Sequence, residues 1–368
     1  MRPADPSRRV LIAQLGLAGA ALAAWPMTSW GVPRSWLAAD DEVIPFTDVP
    51  ATFHSPPDGD AHFAVSRAPV PTLDAARWRL EIDEPGEPLR SLTLADLERR
   101  PRVECTAVFE CGGNSATALH NLVGQATWTG VSLRDLLRDL HPRADARIAV
   151  FFGADAPRTG AGGRPVPFAR PLAIDEAMKL DAMLAYGMNG RPLPPRHGFP
   201  LRLLVPGWYG VANVKWLTRL ALRPARCHGV PPSAGPAMER QAGGRRVCAE
   251  PWVSRQRVKS VIARVTRGRD GRVTSRGVAW SDGTPVARVD VQVDGGAWQP
   301  ALLETPASRF GWTCFSVRSD LGPGDHRVVS RASDCAGRTQ PAHLDLRRTY
   351  WEDCAQFART IKVPPRRA

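Results

Sequence analysis

Near residue 258 the apolar residues of this chain change period, and that change divides it into two unlike parts. Val289, Val291 and Val293 alternate with Arg288, Asp290 and Gln292, and the run stops at Asp294-Gly295-Gly296. A period of two that ends in a Gly/Asp turn encodes a half-buried strand. Val278-Ala279-Trp280 ends the same way at Ser281-Asp282-Gly283, and the run from His326 to Ser330 precedes a turn at Asp334-Cys335-Ala336-Gly337. The pattern predicts an all-β sandwich of immunoglobulin type for residues 253–368. Residues 226–252 carry Pro231-Pro232-Ser233-Ala234-Gly235-Pro236 and Gly243-Gly244-Arg245-Arg246 with no apolar period, and read as a linker or long loop.

Residues 61–225 mix short strands and short helices without a repeating βαβ period, which indicates an α+β domain. Trp78-Arg79-Leu80-Glu81-Ile82 alternates like a strand, and Thr93 is placed to cap a short helix over Leu94 to Glu98. Thr106-Ala107-Val108-Phe109 reads as a buried strand that delivers Cys111 into a loop. Ser132 is placed as the N-cap of a helix, and further strands are expected at Arg147 to Phe152 and Leu201 to Val205, with a short helix at Ile174 to Met178.

Residues 26–60 read as an extended, Pro/Asp-rich arm. Ser7-Arg8-Arg9-Val10-Leu11-Ile12 before the Ala/Gly-rich stretch Leu15 to Ala24 reads as a twin-arginine export signal over residues 1–25, which predicts a periplasmic protein. No run of about 18 strongly apolar residues is present, so no membrane span is expected after signal removal.

The formal charge of +13 raises anionic partners, but the only lysines are Lys179, Lys215, Lys259 and Lys362, and the arginines are scattered. That distribution speaks against nucleic-acid binding. Seven cysteines occur with no Cys-x-x-Cys pair and no Cys-x-x-Cys-His, so neither a zinc ribbon nor a covalent haem is encoded.

Three further runs carry chemistry: Phe109-Glu110-Cys111-Gly112-Gly113-Asn114, Leu184-Ala185-Tyr186-Gly187-Met188-Asn189-Gly190, and Arg196-His197-Gly198-Phe199-Pro200-Leu201-Arg202 followed by Pro206 to Trp216. In order and loop context they resemble the molybdenum site of the sulfite oxidase family, and the resemblance covers most of the chain after the signal. It implies a molybdopterin-binding domain of the sulfite oxidase fold followed by an immunoglobulin-like dimerisation domain. It implies molybdenum-molybdopterin as cofactor and Cys111 as the one protein ligand to the metal, where a soft thiolate suits the site and Gly112-Gly113 lets the backbone approach closely. By the same resemblance His197, Arg202 and Lys215 hold the cofactor's phosphate, Asn114 belongs to the cofactor-binding set, and Tyr186 hydrogen-bonds near the metal. Lys215 stands out unaided, since it lies between Val214 and Trp216 where a solvated lysine is not expected.

The sequence also departs from that family. Aligned on Pro69-Val70-Pro71, its substrate-holding Arg-Asn-His reads Val65-Ser66-Arg67, and Ser115 and Ala116 stand where it has arginines. Arg67 is the remaining cation for an anionic substrate. The implied activity is two-electron oxygen-atom transfer on sulfite or a related sulfur oxyanion, with electrons passed to a separate c-type cytochrome, since this chain encodes no haem. The alternatives are a reductase of a sulfoxide or other neutral substrate, and a binding protein without cofactor.

Overall fold

The computed structural model describes residues 42–47, 62–66, 68–115, 122–156, 158–159, 165–224, 237–242, 245–251, 255–306, 308–343 and 353–365. The export signal, Arg67 and Ala116 lie outside them.

The first part is built on two five-stranded sheets. One has the order Arg191–Pro192, Met183–Met188, Val123–Ser132, Arg102–Glu110, with Arg202–Leu204 also paired to Met183–Met188. The other runs Arg90–Leu92, Leu80–Asp83, Leu217–Pro224, Ala146–Gly153, Ala169–Ala173. Thr93 and Asp96 form a reciprocal capping box on the helix Leu94–Glu98. The Ser132 hydroxyl accepts from the Asp135 amide at 3.2 Å and starts the helix Leu133–Leu140. That helix buries Leu133, Leu136, Leu137 and Leu140, at the spacing of one helical face. They join Leu80, Ile82, Phe151, Leu184, Leu203, Leu220 and Leu222 in one core that both sheets share.

The second part is a two-sheet sandwich. One sheet has the order Glu42–Ile44, Lys259–Arg267, Val273–Trp280, Thr313–Ser319, Leu302–Leu303; the other runs Gln299–Pro300, Val286–Val293, Gly324–Asp334, Ala358–Val363. Val265, Val289, Val291, Phe315, Val328 and Ile361 meet between them. The arm expected over residues 26–60 contributes its Glu42–Ile44 as the edge strand of this sandwich, with Ile44 in the core.

One expectation needs correction. Within the segment read as a loop, Ala237–Ala242 and Arg245–Pro251 pair as an antiparallel hairpin. Its strands are polar and charged, so no apolar period announces them, and the Gly-Gly pair in the sequence between them is itself a hairpin signal. The tryptophans of the sandwich have different environments. Trp280 and Trp312 meet edge to face at 5.3 Å and are buried with Val108 and Val123 of the first part. Trp298 lies instead under the Arg331 guanidinium, 4.3 Å from ring centre.

The two parts are therefore seamed together, and the seam runs along the strand that leads to Cys111. The Val108 amide donates to the Phe310 carbonyl at 2.8 Å, and Gln256 donates to the Val108 carbonyl at 3.0 Å. Gly207 closes the seam elsewhere. Its φ is +78°, and a Cβ there would sit 2.4 Å from the Asp282 carbonyl oxygen, so only glycine fits. Among the described residues no helix is long and apolar enough to cross a membrane.

Candidate active site

Cys111 leaves the end of the strand Arg102–Glu110 in a short turn. Its amide donates to the Leu122 carbonyl at 2.8 Å, and its carbonyl accepts from the Asn114 amide at 2.9 Å. Cys111 is half-buried, while Gly112, Gly113, Asn114 and Ser115 are buried. None of Cys105, Cys111, Cys314, Cys335 and Cys354 is in a disulfide. Burial pushes the Cys105 thiol up to about 11, with Asp181 adding to the shift, so that sulfur is an inert core group.

Asn114 does not reach outward. Its side-chain nitrogen donates to Glu110 at 3.0 Å, and its side-chain oxygen accepts from the Leu122 amide at 3.0 Å. With both ends engaged it braces the turn that carries Cys111.

Tyr186 is displaced from its expected role. Its neighbours Ala185 and Gly187 pair with Gly130 and Thr129, and Thr129 pairs with Glu104. Cys111 lies seven positions beyond Glu104, roughly 20 Å away at ~3.3 Å per residue. The Tyr186 hydroxyl titrates higher than usual through burial, with Arg102 opposing and Glu98 and Glu104 adding to the shift. Its electrostatic neighbours are thus at the far end of the strand. A β-bulge lies between Ala185 and Gly187, at this tyrosine.

His197, Arg202 and Lys215 do converge. The turn Pro195–His197 ends at Gly198, whose φ is +110°. A Cβ on Gly198 would lie 3.1 Å from the Cβ atoms of both Arg202 and Lys215, so the glycine lets two cations approach one point. Arg202 donates to the His197 carbonyl at 2.8 Å, and its guanidinium lies 4.8 Å from the centre of the Trp128 ring. Lys215 donates to the carbonyls of Val65 at 3.0 Å and Arg196 at 3.2 Å, and its ammonium sits 4.2 Å from the Trp216 ring centre. Arg196, His197 and Lys215 thus wrap one wall.

No carboxylate makes an ion pair with Arg202 or Lys215 among the described residues. Burial pushes Arg202 down to about 9, which leaves it charged at neutral pH. Burial, then repulsion from Arg202, pushes Lys215 down to about 7, with Asp155 opposing and Arg196 adding. The buried Arg202 Nε atom has no protein partner. Two desolvated cations with spare donors are costly without an anion. The wall therefore fits a bound phosphate, the group with which molybdopterin ends.

Two residues of this site escaped the sequence reading. Asp155 is buried beside Lys215, and burial raises its carboxyl above the usual range. Gly153 makes room for it, since a Cβ there would lie 2.6 Å from the Asp155 oxygen and 2.7 Å from the Lys215 carbonyl. His62 links the cation wall to the cysteine strand. Its ring meets His197 at 5.5 Å, Trp128 at 5.6 Å and Phe109 at 6.3 Å. Phe109 is two residues before Cys111, so the turn and the cation wall are two sides of one aromatic-lined site.

The molybdopterin-binding domain model of oxidoreductases matches residues 67–230, and the Mo-co oxidoreductase dimerisation domain model matches residues 252–352. Human mitochondrial sulfite oxidase is 32% identical over 316 residues, which cover 76% of this chain and 56% of the human protein. This chain belongs to the sulfite oxidase family. It spans little more than half the length of the human relative. The inducible NADH nitrate reductase 1 of soybean is 30% identical over 76% of this chain and 36% of that protein. In structure the family member resembles the sulfane dehydrogenase SoxCD of Paracoccus pantotrophus, with a TM-score of 0.66 over 98% of this chain and 97% of that one at 23% identity. That likeness fixes the architecture, an α+β molybdopterin-binding domain followed by an immunoglobulin-like sandwich, and membership fixes molybdenum-molybdopterin as the cofactor.

Proposed function

We propose that this protein oxidises sulfite or a closely related sulfur oxyanion by two-electron oxygen-atom transfer and passes the electrons to a separate c-type cytochrome. The observation that carries the reading is the convergence of a thiol-bearing, braced turn with a buried cation wall across the rings of Phe109, His62 and His197. When bound, the cofactor supplies the redox couple and the transferable oxygen. Arg202, Lys215 and His197 hold its phosphate, and the Cys111 thiolate ligates its metal. For sulfite the balance is simple: sulfite and water give sulfate, two protons and two electrons, and the electrons leave to the acceptor. Phe63, Phe109 and Trp128 keep the site apolar, so each polar contact inside counts for more than in water.

Val65 occupies the position of a family arginine, and its carbonyl serves Lys215. Arg67 is therefore the cation assigned to the substrate. Steady-state kinetics with sulfite and an artificial acceptor test this. Arg67→Ala should raise KM about ten- to a hundredfold, because one charge-assisted contact in a desolvated site is worth about 1.5–3 kcal/mol.

The second reading, reduction of a neutral oxide such as a sulfoxide, is favoured by the aliphatic Val65 and the hydroxyl of Ser115 where charges are expected. No sulfite turnover, together with sulfoxide reduction that Arg67→Ala leaves intact, would replace the first reading with the second.

The second domain is assigned to pairing two copies of this chain. Light scattering at micromolar concentration should give the mass of two chains, and a single-chain mass would remove that assignment.

A further inference from the structure

Glu110 and Lys259 form an ion pair at 2.8 Å, with both side chains 1% exposed. It joins the two domains, since Glu110 ends the cysteine strand and Lys259 begins the first long strand of the sandwich. The Lys259 ammonium has three protons and three acceptors: Glu110, the Asn114 carbonyl at 2.8 Å and the Asp353 carbonyl at 2.5 Å. The second Glu110 oxygen accepts from the Trp280 indole at 2.8 Å, and the first also accepts from the Asn114 side chain. Lys259 thus grips the turn immediately before Cys111 and three residues after it. Burying two charges costs stability that an apolar pair would not, so mere cohesion of the seam does not call for them. What they add is direction: each bond has a fixed angle, and together they span the residue whose sulfur must point at the metal.

We propose that Lys259 is a positioning residue for Cys111, so that the second domain forms part of the metal site as well as a pairing surface. The proposal rests on the reading of Cys111 as the metal ligand. It acts through hydrogen bonds, so a neutral polar pair that keeps part of them should hold the turn better than an apolar pair does.

Two double variants decide it. Glu110→Gln/Lys259→Gln removes both charges and keeps only part of the bonding, because glutamine at 259 is shorter than lysine and offers two protons to three acceptors. Glu110→Leu/Lys259→Met keeps volume and should fold, since apolar replacements of buried ion pairs are tolerated. Two readouts apply: the rate at which iodoacetamide alkylates Cys111 in the full-length cofactor-free protein, mapped by peptide mass, and the Mo(V) paramagnetic resonance signal of the holoenzyme. The glutamine pair should lie between wild type and the Leu/Met pair in both. The Leu/Met pair should alkylate about tenfold faster, as expected if the turn opens locally, and should give a shifted signal. Equal values for the two pairs, or a Leu/Met pair indistinguishable from wild type, would overturn the proposal. If the Leu/Met pair yields no soluble protein, the glutamine pair is read against wild type on the same scales, and equal values would overturn the proposal. Cys111→Ser, run in parallel, separates the two claims. An unchanged Mo(V) signal there would sink the ligand reading, while the alkylation rates would still report on Lys259.

Discussion

Cys111→Ser should abolish turnover while leaving the fold and the bound pterin in place. A hard, largely protonated hydroxyl in place of a soft thiolate changes the first coordination shell, where even outer-shell changes cost about 10–100-fold, so a loss of a hundredfold or more is expected. Stability should hardly move. Cys111 is half-exposed, carries no disulfide, and is held by its backbone amide and carbonyl, which serine retains. Such a change falls within about 0.5 kcal/mol. Metal content and turnover per molybdenum are the measurements. Wild-type turnover by the serine variant would end the ligand assignment. Cys105→Ser is the control, because that sulfur is half-buried and lies six positions back along the strand, and its loss should leave turnover unchanged.

Much of this was legible in the sequence, for identifiable reasons. The helix caps at Thr93 and Ser132 are local chemistry, and local chemistry is written in adjacent residues. The sandwich was legible because alternation over Val289, Val291 and Val293 maps directly to one buried face. The cation wall was legible by family resemblance, with Lys215 flagged by its apolar flanks.

What could not be read depends on distance in space. Tyr186 sits in an intact motif, yet only the register of three strands shows that it faces Arg102 and Glu104 and not Cys111. Asn114 follows Cys111 in sequence, and only the partners of its side chain reveal a brace. Asp155 and His62 come from segments with no motif of their own, and they reach the site because Gly153 and Gly124 leave room beside them. Lys259 lies in a strand with no motif of its own. Its contact with Glu110 spans 149 positions, and no pattern in either segment announces it.

Lys215 should make the cofactor-free protein respond to pH and phosphate together. Burial and Arg202 push its ammonium from 10.5 down to about 7 in the folded state, whereas the unfolded chain keeps the ordinary value. Between about pH 7 and 10.5 the unfolded state then binds more protons than the folded one. Stability attributable to this group therefore rises with pH across that window, and below pH 7 its full cost is present. Asp155 opposes the shift, and it ranks below burial and Arg202 among the causes. A bound anion favours the charged lysine and reverses the trend. Inorganic phosphate should raise the melting temperature of the cofactor-free protein more at pH 7 than at pH 9.5, by the equivalent of about 2.7 kcal/mol when it reaches a hundred times its dissociation constant. Lys215→Met removes the charge and keeps the stem over Trp216. It should melt higher than wild type at pH 7 without phosphate, lose the phosphate response, and be purified with far less cofactor, since one charge-assisted contact is worth about ten- to a hundredfold in affinity. Full cofactor occupancy together with an unchanged phosphate response in Lys215→Met would show that the phosphate is held elsewhere.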